Sequence, residues 1–117
     1  MPTLYHNPRC SKSRQGLELC NSSETEVIVV NYLKQKLTEN ELTGIISRFG
    51  GCPSKLIRNS DDAFKKSQYF ELDLINPVNV LAILHNLPQV MQRPLLDDGN
   101  QVIIGRPPED FKNILVG

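Results

Sequence analysis

The spacing of apolar residues changes several times along the chain and predicts strands and helices in a definite order. Residues 3–6 are predicted to form a short strand, and residues 11–20 have apolar positions at helical spacing. Residues 26–31 contain a continuous β-branched run, which predicts a second strand covered on both faces. A strand, a helix and a strand in this order indicate two parallel strands joined by a right-handed crossover.

The middle of the chain, about residues 38–88, is predicted to be a helical insertion. Thr38 is followed three residues later by Glu41, which is the pattern of a capping box at a helix start. Asn76 and Pro77 predict the start of another helix, and Pro88 predicts its end. Helices therefore separate the first two strands from the rest of the predicted sheet.

The last third predicts a β-hairpin and a terminal helix. Residues 94–96 and 102–104 are mainly apolar and flank the turn residues 97–100, while residues 107–110 open a helix. Two antiparallel strands added to the parallel pair give an α/β fold. We expect a thioredoxin-like mixed four-stranded sheet with flanking helices and the inserted helical subdomain, all in a single domain over residues 1–117.

Composition narrows the class of protein. The chain has 117 residues, 39% of them apolar and 22% charged, which is ordinary for one globular domain. Its formal net charge of zero gives no indication of binding to nucleic acid or a membrane surface. No apolar stretch approaches the roughly 20 residues of a spanning helix. The start lacks a secretory pattern and the three cysteines are too few for a disulfide framework, so we expect a cytoplasmic protein. Its small size and zero net charge make a monomer the expected state.

Cys10 is the strongest candidate for a reactive side chain. It lies where the first predicted strand meets the first predicted helix, and the free N–H groups of a helix start stabilise a thiolate. Arg9, Lys12 and Arg14 add positive charge nearby in the sequence, and His6 lies four residues upstream. This context favours a reactive cysteine over a structural one.

Two other uses of a cysteine at this position are excluded by spacing. A phosphate-binding cysteine loop needs an arginine six residues after the cysteine, and Gly16 stands there. A Cys-x-x-Cys pair is absent because Ser13 occupies the second position. Cys20 is separated from Cys10 by a helical length of roughly 15 Å, well beyond disulfide reach. Cys10 is therefore predicted to work as a single thiol, with the resolving thiol supplied from outside.

Three arginines lie at the ends of predicted elements. Arg58 is predicted to close a helix, Arg93 precedes Pro94 at the start of the hairpin, and Arg106 follows Gly105. Guanidinium groups bind tetrahedral oxyanions through paired hydrogen bonds. In a thioredoxin-like chain, the Arg93–Pro94 bond before a strand is also predicted to be cis.

Four motifs in order resemble the glutaredoxin-dependent arsenate reductase family, in particular its short bacterial arsenate reductase-like branch. They are residues 5–14 (YHNPRCSKSR), 55–58 (KLIR), 92–94 (QRP) and 104–107 (IGRP). The resemblance spans essentially the whole chain. It implies that Cys10 is the nucleophile, assisted by His6 and Ser13, and that arsenate is bound by Arg58, Arg93, Arg106, Asn7 and Arg14.

The resemblance also implies a reaction. Cys10 attacks arsenic(V), glutathione then displaces oxygen at arsenic, and glutaredoxin removes the glutathione so that arsenite is released. Glutathione is a co-substrate here, and no bound cofactor or metal is expected. Two alternatives remain open on the same fold: a thiol or glutathione-linked redox protein that does not act on arsenate, and a redox-responsive transcription regulator. Cys20 is expected to be structural, and the reactivity of Cys52 is left open.

Overall fold

The computed structural model describes all residues from Met1 to Gly117, in four strands and four α-helices. The strands are β1 (Thr3–His6), β2 (Ile28–Asn31), β3 (Leu95–Asp97) and β4 (Val102–Ile104). The α-helices are α1 (Ser11–Ser22), α2 (Glu39–Arg48), α3 (Asp62–Lys65) and α4 (Pro77–Asn86). Three 3₁₀ helices cover Pro53–Leu56, Pro88–Val90 and Pro108–Asn113.

The four strands form one mixed sheet in the order β2-β1-β3-β4. β1 and β2 are parallel, whereas β1 pairs antiparallel with β3 and β3 antiparallel with β4. The register of the parallel pair sets His6 opposite Asn31, so both strands end at the same edge of the sheet. The predicted α/β fold with its mixed four-stranded sheet is confirmed.

The backbone divides into two compact units. The first unit contains residues 1–35 and 93–117, which include the whole sheet, and the second contains residues 36–92. The prediction of a single domain over the whole chain stays a prediction.

The core of the first unit lies between the sheet, α1 and the last 3₁₀ helix. Leu4, Leu96 and Phe111 are completely buried there together with Cys20. Burial raises the pKa of the Cys20 thiol to about 11, because an apolar core disfavours the thiolate. Cys20 therefore acts as a small apolar residue, in line with its predicted structural role.

The prediction for the second strand was wrong in detail. β2 is shorter than expected and lies at an edge of the sheet, where Ile28 is 46% and Val29 45% exposed. Its β-branched residues fit strand geometry whether or not the strand is covered, so their run does not report burial. The predicted terminal helix is present as a 3₁₀ helix over Pro108–Asn113.

The second unit begins with the predicted capping box. Thr38 Oγ1 accepts the backbone N–H of Glu41 at 3.1 Å, and the Glu41 carboxylate accepts the N–H of Thr38 at 2.9 Å. Arg58 does not close a helix as predicted. It follows the Pro53–Leu56 3₁₀ helix after Ile57, which forms an isolated antiparallel bridge with Met91.

No helix in the chain has both the length and the apolar character needed to cross a membrane.

A glycine in α1 allows the helix to approach the core closely. A Cβ added at Gly16 would lie 2.8 Å from the Phe111 ring and 2.8 Å from Pro94 Cγ, whereas one added at Gly50 would meet nothing within 4 Å. Overpacking costs about 1–3 kcal/mol, which exceeds the gain of up to ~1 kcal/mol in helix propensity from alanine. We therefore expect Gly16→Ala to lower the free energy of unfolding by about 1–2 kcal/mol in urea titrations.

Gly50→Ala is the matched control and is expected to be neutral or slightly stabilising, since it only restricts the unfolded chain. Equal stability of the two variants would contradict the close packing at Gly16.

Candidate active site

The loop between β1 and α1 places Cys10 at the start of a helix. Cys10 is the N-cap residue of α1, with extended backbone angles of φ −95° and ψ 124°. Its N–H donates to the Asn7 carbonyl at 3.0 Å, and its carbonyl accepts the N–H of Arg14 at 3.0 Å. The sulfur is thus held beside backbone N–H groups that have no partner within the helix.

The surroundings of Cys10 favour its thiolate. Partial burial alone would raise the pKa of this thiol. That effect is outweighed by hydrogen bonds from the backbone of Ser13, the side chain of Arg93 and the backbone of Lys12, and by the charge of Arg106, so the pKa of Cys10 lies below its ordinary value. A cysteine of this kind is a better nucleophile at neutral pH because more of it is ionised.

Arg106 connects the thiol to the start of the hairpin. Its Nη2 lies 3.5 Å from the Cys10 sulfur, and its Nε donates to the Arg93 carbonyl at 3.0 Å. Arg93 precedes Pro94, and the Arg93–Pro94 bond is cis as predicted. The Arg106–Pro107 bond is also cis, which the sequence reasoning did not predict. Two of the three predicted anion-binding arginines therefore contact or polarise the same sulfur atom.

The side chains of His6 and Ser13 contact each other rather than the Cys10 sulfur, which is hydrogen-bonded by the Ser13 backbone. The Ser13 hydroxyl accepts the N–H of Asn7 at 2.9 Å and lies 2.7 Å from Nδ1 of His6. Burial lowers the pKa of His6 below its ordinary value, and the charge of Arg14 acts in the same direction. In the neutral tautomer that carries its proton on Nε2, Nδ1 accepts from the Ser13 hydroxyl, so both hydrogen-bonding roles of the hydroxyl are filled. Ser13 acts on Cys10 through its backbone, while its side chain joins the strand end to the helix.

The remaining predicted site residues differ in how they are placed. Asn7 Oδ1 accepts the N–H of Arg9 at 3.0 Å, and Arg14 Nη1 donates to the Pro8 carbonyl at 3.0 Å, so both side chains hold the loop before Cys10. Arg58 belongs to the second unit, where its Nη1 lies 3.7 Å from a carboxylate oxygen of Asp61. All the other predicted site residues belong to the first unit.

Cys52, the third cysteine, precedes the first 3₁₀ helix of the second unit. Hydrogen bonds from Ser54, first from its side chain at 3.2 Å and then from its backbone, lower the pKa of the Cys52 thiol. The thiol is also partly exposed. These features keep Cys52 a reactive candidate, and any test of Cys10 must separate the two.

The sequence reasoning missed the contribution of backbone groups that belong to distant residues. The Arg93 carbonyl holds the guanidinium of Arg106 in place. Every residue has a backbone carbonyl, so the amino-acid sequence does not indicate which carbonyl plays this role. The N–H groups of Lys12 and Ser13 were foreseeable only in general terms, from the prediction that a helix begins at Cys10.

A cysteine with a lowered pKa at the start of the first helix of a mixed four-stranded sheet defines the class of a thioredoxin-like thiol protein. Sequence comparison then gives the family, because the model of the ArsC family matches residues 5–114. The chain belongs to the ArsC family, which confirms the resemblance found in its motifs.

Individual relatives agree with this placement. The arsenate reductase of Haemophilus influenzae is 32% identical over 113 residues, covering 96% of this chain and 97% of that protein. The arsenate reductase of Escherichia coli K12 is 28% identical and is covered over 79% of its length. Among solved structures, an arsenate reductase from Vibrio cholerae has a TM-score of 0.86 at 28% identity, with 97% of each chain covered.

We expect Arg106→Gln to raise the pKa of Cys10, because the variant removes a positive charge that lies 3.5 Å from its sulfur. The measurement is the pH dependence of iodoacetamide alkylation, followed by mass spectrometry of the peptide that contains Cys10. Lys112→Gln makes the same change in charge on the last 3₁₀ helix and should leave the profile unmoved. An unchanged profile in Arg106→Gln would show that the guanidinium does not stabilise the thiolate.

The lowered pKa of His6 predicts a loss of stability in mild acid. Because the folded chain favours the neutral imidazole, its contribution is complete above the ordinary histidine pKa of about 6.5 and is lost as the pH falls through the lower folded value. Urea midpoints of the parent should therefore fall between about pH 7.5 and about pH 5.5. The fall should be smaller in His6→Gln, and an identical fall in both proteins would contradict a neutral His6.

Proposed function

We propose that this chain reduces arsenate to arsenite with electrons from glutathione and glutaredoxin. The observation that carries the proposal is the Cys10 sulfur, which lies at a helix start and 3.5 Å from Nη2 of Arg106. A nucleophile and a cation that share one position suit attack on a tetrahedral oxyanion, since the cation attracts the anion and also stabilises the nucleophile. Membership of the ArsC family and relatives named arsenate reductases support the same substrate.

The first chemical step forms a bond between Cys10 and arsenic. The thiolate attacks arsenic(V), one As–O bond breaks, and the oxygen leaves as water after taking up protons. The arsenic remains in the +5 state. Arg93 and Arg106 bind the oxygens of the anion and offset the charge that develops on them during displacement. Each charge-assisted hydrogen bond of this kind contributes about 1.5–3 kcal/mol.

The reduction itself needs two external thiols. Glutathione displaces a second oxygen as water, which leaves arsenic bonded to Cys10 and to the glutathione sulfur. The glutaredoxin thiolate then attacks that glutathione sulfur. The S–As bond breaks with its electron pair going to arsenic, which becomes arsenic(III), and water finally releases arsenite from Cys10. In balance, one arsenate and two thiols give one arsenite, one disulfide and one water.

The arrangement of thiols within the chain supports an external resolving thiol. Cys20 is buried in the core with a pKa raised to about 11. Ser13 occupies the position of a second thiol in a dithiol motif, and its hydroxyl is engaged by His6 and Asn7. Cys10 thus has no partner on its own helix with which to form a disulfide. Arg58 is proposed as a third arsenate ligand from its motif alone.

Cys10→Ser is expected to abolish arsenate-dependent oxidation of NADPH in an assay that couples the chain to glutathione, glutaredoxin and glutathione reductase. Loss of the nucleophile should lower turnover by more than about 10³-fold. Cys52→Ser is the matched control and should retain turnover, since Cys10 alone attacks arsenic in the proposed reaction. Replacement of glutaredoxin and glutathione by thioredoxin and its reductase should give no turnover.

Turnover that survives in Cys10→Ser would disprove the mechanism. Turnover that proceeds with thioredoxin would retain arsenate as substrate and exclude glutaredoxin as the specific partner. An inactive parent in which Cys10 still titrates as an acidic thiol would disprove arsenate reduction and favour a glutathione-linked or regulatory role.

A further inference from the structure

A cavity of about 440 Å³ lies beside the loop that carries Cys10, within the first unit. It is formed by two loops that leave the ends of β1 and β2, where the register of the parallel strands sets His6 opposite Asn31. Its lining residues are Asn7, Pro8, Arg9, Asn31, Leu33 and Lys34. The volume falls in the range of small-molecule sites, and the Cys10 N–H donates to the Asn7 carbonyl at 3.0 Å.

The carboxamides of the cavity present hydrogen-bond donors. Asn7 Oδ1 accepts the N–H of Arg9 at 3.0 Å, and Asn31 Oδ1 accepts the N–H of Leu33 at 3.2 Å. Both oxygens are thereby engaged, whereas neither NH₂ group has a hydrogen-bond partner in the chain. Asn7 is only 7% exposed, so its unpaired donor is part of a largely buried side chain that lines the cavity. The NH₂ group itself is accessible to solvent, so it can donate to an acceptor on a ligand that enters the cavity.

The charged groups of the cavity are both cationic. Arg9 and Lys34 line it, and no carboxylate does. Residues 1–17 and 27–38, which include both loops, contain no acidic residue at all, although the chain as a whole is neutral. Pro8 and Leu33 supply apolar surface. Amide donors, two cations and a short apolar wall complement a small organic molecule that carries carboxylates.

We infer that this cavity binds the carboxylates of a small thiol and so brings its sulfur to the atom held by Cys10. The inference rests on the proposed function for the identity of that atom, arsenic. It deepens the proposed function by giving the co-substrate a site of its own, separate from Arg93 and Arg106. Glutathione, with two carboxylates on either side of its thiol, belongs to the chemical class that the cavity selects. Arg9 and Lys34 bind the co-substrate and Asn7 orients it.

The inference is tested by thiol–disulfide exchange, which needs no arsenate. The Cys10 thiolate attacks one sulfur of a disulfide, the S–S bond breaks, and the second sulfur leaves as a thiolate. Two disulfides are compared, glutathione disulfide with its carboxylates and the uncharged 2-hydroxyethyl disulfide. Formation of each mixed disulfide at Cys10 is followed by peptide mass spectrometry, which separates Cys10 from Cys52. A change in the reactivity of the Cys10 thiol affects both rate constants alike and leaves their ratio unchanged. The ratio therefore reports recognition of the carboxylates alone.

Arg9→Ala and Lys34→Ala should each lower this ratio about two- to fivefold, the range of one ion pair between exposed groups. Both residues are exposed, so the variants are expected to fold. Lys112→Ala removes one positive charge outside the cavity and should keep the ratio of the parent.

Two results would overturn the inference. One is a ratio that does not change in Arg9→Ala and Lys34→Ala, or that changes equally in Lys112→Ala. The other is slower transfer of glutathione from Cys10 to glutaredoxin with unchanged ratios, which would mean that the basic loops contact the protein partner instead. A chain that shows the predicted ratios but does not reduce arsenate would retain the thiol site and lose the proposed substrate.

Discussion

The hydroxyl of Ser13 is the point on which the geometry of the site depends. It is completely buried, and it joins the last residue of β1 to the first turn of α1 by contacting the His6 imidazole and the Asn7 backbone. A buried hydroxyl that both donates and accepts restricts its neighbours strongly, since a lost partner would leave a polar group unsatisfied. The strand end and the helix start are therefore held in one arrangement, and the position of the Cys10 sulfur follows from it.

The chain is neutral as a whole, but positive charge is concentrated in the loops around Cys10. The chain carries 13 basic and 13 acidic residues, so no long-range field of a single sign is expected. The charged residues of the loops around Cys10 are nevertheless all basic, and N–H groups at the helix start favour the ionised form of its thiol. Short-range electrostatics of this kind is less sensitive to salt than a surface field, because the groups are in contact and partly shielded from water.

The sequence predicted well those features that depend on neighbouring residues. β1, the start of α1 and the capping box of α2 are encoded within a few positions, and the structure confirms each of them. The exposed edge position of β2 was missed because it depends on which strand pairs where, and the same β-branched residues fit either place.

In the candidate site, too, features that depend on neighbouring residues were predicted, whereas features that depend on the tertiary fold were not. Cys10 at a helix start was predicted from local residue types, and the structure places it there. The pairing of Arg106 with the Arg93 carbonyl joins residues of two separate loops, and only the fold brings them together. His6 shows the limit of motif reasoning, because it was grouped with Cys10 by position in the sequence and contacts Ser13 instead.

The two glycines that touch Pro94 have a consequence for how this protein tolerates mutation. Gly16 and Gly105 both approach Pro94 and the ring of Phe111, and a Cβ at either position would come within 2.8 Å of one of them. Pro94 directly follows Arg93, whose carbonyl orients the guanidinium beside Cys10. Core packing and the reactive centre therefore share the same few atoms. A side chain added at either glycine would disturb the orientation of Arg106 as well as the packing of the core, although neither glycine belongs to the chemistry.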